Sequence, residues 1–61
     1  GIRFVHYLNY LRIVRAIEIL TDNAMNIEQT AYEVGFNSPN SFGRVFKQIT
    51  GESPSDYIKK L

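Results

Sequence analysis

A small all-α domain is predicted by three features of this sequence. Apolar residues recur at the 3.6-residue period almost throughout. No stretch alternates apolar and polar residues for long, and no Asn-Gly or Asp-Gly pair offers a hairpin turn. Three segments open with a capping residue, and in two of them proline follows directly. The expected order is a long first helix, two helices joined by a tight turn, and a short last helix.

The first helix is expected over 4–20. Phe4, Leu8, Leu11, Ala16 and Ile19 fall on one broad arc, and Tyr10, Ile13, Val14 and Ile17 on the other side. A helix that is apolar all round needs neighbours all round. The 41 residues after Leu20 can cover one side only. The other is expected to meet a further helical unit or a second copy, with Tyr10, Ile13, Val14 and Ile17 as the contact.

The second helix begins at Ile27, with Asn26 as cap, Glu28 in the first turn and Gln29 placed for a capping box. Ile27, Ala31 and Val34 share a face, and Gly35 ends the helix where a positive φ is common. The third helix starts with Ser38 as cap and Pro39 first, and ends at Gly51. The fourth has Ser53 as cap, Pro54 first and Asp56 third, and is expected over 54–61. Beyond Thr21–Met25 there is no linker.

Composition bounds the chemistry. A chain of 61 residues with 44% hydrophobic side chains is one domain with a core. Without Cys it has neither disulfides nor thiolate metal sites. Packing must suffice, although a domain this short hides only roughly 60% of its unfolded surface. No signal peptide is visible, and no apolar run approaches the ~20 residues of a membrane span. A cytoplasmic setting without a membrane partner is expected.

The net charge of +1 is unevenly distributed. Residues 1–20 carry +2, residues 21–38 carry −3 with no base, and residues 39–61 carry +2. Only a stripe on one face would favour nucleic acid.

Residues 27–50 supply that stripe. A short helix, a turn at Gly35-Phe36-Asn37 and a longer helix make the helix-turn-helix layout, whose second helix enters the DNA major groove. Ala31 is small where two helices cross at close range, and Val34 and Phe36 plug the angle between them. On the third helix Phe42, Val45, Phe46 and Ile49 point inward, within an arc of about 100°. Asn40, Arg44 and Lys47 point the opposite way, together with Gly43. Asn pairs bidentately with adenine and Arg with guanine, while Lys is a point charge for phosphate. Ser38 and the first N–H groups of this helix suit a backbone phosphate.

The run Ile27-Glu28-Gln29-Thr30-Ala31-Tyr32-Glu33-Val34-Gly35-Phe36-Asn37-Ser38, then Ser41-Phe42-Gly43-Arg44-Val45-Phe46-Lys47, then Gly51-Glu52-Ser53-Pro54 with Tyr57, resembles the C-terminal signature of AraC-type transcription regulators. Phe4, Tyr7-Leu8-Asn9, Arg12-Ile13, Ala16 and Leu20 are similar to that family's connecting helix. The resemblance covers essentially the whole chain. It implies a homeodomain-like fold with the second of two helix-turn-helix units, and Gly1 at the end of the first. It implies double-stranded DNA as ligand, RNA polymerase and the missing N-terminal unit as partners, and no cofactor. Base reading would fall on Pro39, Asn40 and Arg44, and backbone contacts on Ser38, Ser41 and Lys47. The chain departs from the family pattern at Pro39, where many members carry a polar reader, and at Gly43, where Ser or Thr is frequent. Thr30 replaces the usual Ile or Leu, and Ile58 a common Arg. These changes imply weaker DNA affinity for this half alone.

The remaining polar residues read as structural. Arg12 and Arg15 are expected to pack their stems, with their heads snorkelling or paired to Glu18 or to an acid of the second helix. His6 alone makes no metal site. Tyr7, Tyr10, Tyr32, Phe36, Phe42 and Phe46 are expected in the core, with Tyr32 the exception because Glu28, Gln29 and Glu33 surround it. The pairs Glu28/Glu33 and Glu52/Asp56 lack a nucleophile or a pocket, so an enzyme is not expected. The alternative to DNA binding is a helical module that grips a protein.

Overall fold

A computed structural model describes the backbone of residues 2–61, with side chains from residue 4 onward. The expectation for Gly1 lies outside the described residues. Four helices follow in order: α1 (Ile2–Thr21), α2 (Ile27–Glu33), α3 (Pro39–Thr50) and α4 (Pro54–Lys59). The fold is all-α, as the periodicity predicts. α1, α2 and α3 pack on one another, and α4 rests on α3.

Local chemistry sets the helix ends. α1 stops where Asn23 adopts φ 57°, a left-handed conformation that Asn tolerates better than most residues. The Ala24 N–H then bonds to the Ile19 carbonyl and the Asn23 N–H to the Leu20 carbonyl, closing a Schellman motif. At α2 the capping box forms. Asn26 Oδ1 accepts the Gln29 N–H at 2.7 Å, and Gln29 Oε1 accepts the Asn26 N–H at 3.3 Å. A second Schellman motif ends α2: the Phe36 N–H bonds to the Ala31 carbonyl, the Gly35 N–H to the Tyr32 carbonyl, and Gly35 takes φ 107°. Gly51, at φ 87°, closes α3.

The fourth helix is shorter than expected, ending at Lys59 instead of 61. Its last N–H groups, those of Lys60 and Leu61, reach back only three residues, and Leu61 has no apolar cover. Lys60 Nζ instead closes a 2.7 Å ion pair with Glu52 Oε1, joining the two ends of α4. This hydrogen bond, with the carboxylate charge behind it, raises the Lys60 pKa above the usual lysine value.

The core is built on Phe42, Phe46, Ile13, Ala16 and Ala31, all fully buried. Its centre is a ladder of rings. Phe36 meets Phe42 at 5.6 Å, Phe42 meets Phe46 edge-on at 5.6 Å, and Phe46 meets Tyr57 edge-on at 5.5 Å. Such pairs add about 0.5–1.5 kcal/mol each beyond their buried area. Thr30, also fully buried, donates its hydroxyl to the Asn26 carbonyl at 2.7 Å and so leaves no orphaned polar atom.

α1 corrects the expected division of its faces. Ile13, Ala16, Ile19 and Leu20 are buried together, and Ile17 packs against them. Phe4, Tyr7, Leu11 and Val14, spaced at three and four residues, are exposed and form the apolar stripe that turns away from this core. The set Tyr10, Ile13, Val14 and Ile17 is therefore not one surface. With apolar residues all round, the period alone could not choose between the two faces. Tyr7 and Tyr10 are exposed instead of buried for the same reason.

Candidate nucleic-acid interface

α3 is sharply two-sided. Beneath it lie Phe42 and Phe46, fully buried, with Val45 half-buried beside them. Ile49, expected inside, is 38% exposed and borders a cleft shared with Val5, His6 and Asn9. On the outer side Asn40, Arg44 and Lys47 are all exposed. Among the described residues neither Arg44 nor Lys47 pairs with a carboxylate. Their charges are available to an anion.

The start of α3 is occupied by its own cap. Ser38 Oγ accepts the Ser41 N–H at 3.2 Å and lies 3.3 Å from Ser41 Oγ. Both serines and Pro39 are half-buried at the edge of the exposed face. The arrangement brings Ser38, Pro39, Asn40, Ser41, Arg44 and Lys47 onto one end and one side of a single helix.

The turn that aims α3 carries a contact the sequence reading missed. The Arg12 guanidinium lies over the Phe36 ring, 5.6 Å from its centroid. Of the two arginines expected to snorkel or to pair with an acid, Arg15 pairs, at 3.5 Å from Glu18, and among the described residues Arg12 has no acid partner. The signal available in the sequence was the pair Gly35-Phe36. A glycine admits a guanidinium against the backbone, and a ring offers it a face. Tyr32 is exposed, as expected, among exposed Glu28, Gln29 and Glu33.

The family model for a helix-turn-helix domain matches residues 1–60. This chain belongs to the AraC-type helix-turn-helix family. The HTH-type transcriptional activator RhaR of Pectobacterium atrosepticum is 40% identical over 61 residues, covering all of this chain and 22% of the activator. The TCP pilus virulence regulatory protein of Vibrio cholerae serotype O1 is 34% identical over 61 residues, with the same coverage of each chain. A histidine kinase of Formosa agariphila is 39% identical over 51 residues, which are 84% of this chain and 4% of the kinase. This chain thus spans between 4% and 22% of these relatives. No solved structure matches it. Among the described residues of this AraC-type domain, no helix is long and apolar enough to cross a membrane.

Proposed function

We propose that this domain binds duplex DNA in a sequence-specific manner as part of a cytoplasmic transcription regulator, with α3 in the major groove. The observation that carries this is the outer side of α3, where an amide, a guanidinium and an ammonium stand exposed and, among the described residues, neither cation is paired with a carboxylate. In this reading Asn40 and Arg44 read base edges, with Pro39 in apolar contact at the groove. Lys47, Ser41 and the capped helix start at Ser38 hold the backbone. The reading contains no catalytic step and no cofactor.

The stripe Phe4, Tyr7, Leu11 and Val14 supports a second component: α1 packs its outer face on a further helix-turn-helix unit or on a second copy. The same stripe is what a protein-binding module would display, and salt separates the two. Duplexes with a randomised central segment, selected on the full-length polypeptide, should yield an enriched sequence. Its affinity should fall with salt at a log–log slope of about −0.9 per phosphate neutralised. No enrichment, with protein capture insensitive to salt, would overturn the DNA reading.

A further inference from the structure

The glycines of this chain divide by what they do. Gly35 and Gly51 take φ 107° and 87°, so backbone conformation accounts for both. Gly43 lies inside α3 with ordinary helical geometry. A Cβ built on it meets nothing within 4 Å. Neither conformation nor packing within the chain calls for glycine there, and a glycine inside a helix weakens it relative to alanine. What Gly43 does have is position: half-buried itself, it lies on the side of α3 between exposed Asn40, one turn before it, and exposed Lys47, one turn after.

We infer that Gly43 is the point at which the surface of α3 comes into van der Waals contact with DNA, a bare patch of helix that seats the neighbouring side chains at the bases. A missing Cβ lets another molecule approach the helix backbone more closely than any other residue allows. Asn40 is short, and a bidentate amide contact needs its Cα near the base edge. The inference rests on the proposed DNA reading and adds a residue that governs how closely the helix seats.

The test uses the full-length polypeptide with glycine, alanine or leucine at 43, and the duplex that the parent selects from a randomised pool. Alanine is the better helix former and its Cβ would meet nothing within 4 Å, so Gly43→Ala should melt at or above the parent. Binding should move the other way. Gly43→Ala should weaken it by about tenfold and Gly43→Leu by more, as for a side chain forced into a filled contact. A parent that selects a duplex which Gly43→Ala binds equally well overturns the inference and leaves the DNA reading intact. A parent that enriches no duplex overturns both.

Discussion

Arg12 and Phe36 join α1 to the turn between α2 and α3, with the guanidinium 5.6 Å from the ring centroid. Gly35 makes room for this pair: a Cβ there would sit 3.3 Å from Arg12 Nε. Cation–π attraction is worth ~0.5–2 kcal/mol depending on exposure. Arg12→Ala is therefore expected to cost about 1–2 kcal/mol once the packed stem is included. Gly35→Ala should cost about 1–3 kcal/mol through its positive φ. Combined, the two changes should cost less than their sum, because removing Arg12 relieves the crowding but not the φ strain. Strict additivity in thermal or urea unfolding would show that the pair does not interact.

Ala31 is fully buried, and its carbonyl anchors the turn at Phe36. Ala31→Leu is expected to destabilise by roughly 1–3 kcal/mol through overpacking. A melting temperature equal to the parent's would show that the core has room at this point.

Asn23, at φ 57°, closes α1. Asn23→Ala should cost about 1–2 kcal/mol, because alanine is strained in this conformation, whereas Asn23→Gly should be neutral or better. Equal denaturation midpoints for the two variants would contradict the cap.

Arg44 and Lys47 differ in what they are expected to read. Arg44→Ala should cost about 1–3 kcal/mol and relax preference at one base pair. Lys47→Ala should weaken all duplexes alike and flatten the salt dependence by about one phosphate. A uniform loss for Arg44→Ala would move that residue to the backbone, and an unchanged slope for Lys47→Ala would remove it from the interface.

The Lys60–Glu52 pair gives a pH signature. Folding raises the Lys60 pKa above 10.5, so its contribution is complete below that value and is lost as pH rises through the folded pKa. The difference in melting temperature between the parent and Lys60→Met should therefore hold through neutral pH and vanish above the lysine range. A difference that persists in strong alkali would assign the effect to the Lys60 stem and not its charge.

The parts of the fold that depend on neighbours in sequence were readable without coordinates. Asn26 with Gln29, Ser38 with Pro39, and Ser53 with Pro54 announce three helix starts, because each cap acts within one turn. The exposure of Asn40, Arg44 and Lys47 was equally readable, since α3 has only one apolar side. What failed depends on partners distant in the chain. Ile13 joins the core and Tyr10 does not, yet both lie on the arc opposite Phe4. Arg12 chose an aromatic partner that only the folded turn brings near. The left-handed turn at Asn23 has no unique mark in the sequence, because Asn serves caps, turns and left-handed ends alike.

The ring ladder has a mechanical consequence. To roll α3 about its own axis, Phe42 would have to leave its tilted contact with Phe36 on one flank and Phe46 its edge contact with Tyr57 on the other. The helix is held like a key in a warded lock, at one azimuth. In the proposed DNA reading, a mismatched target would then be accommodated by the rotamers of Asn40, Arg44 and Lys47, or by bending of the DNA itself, and not by rotation of the scaffold beneath them.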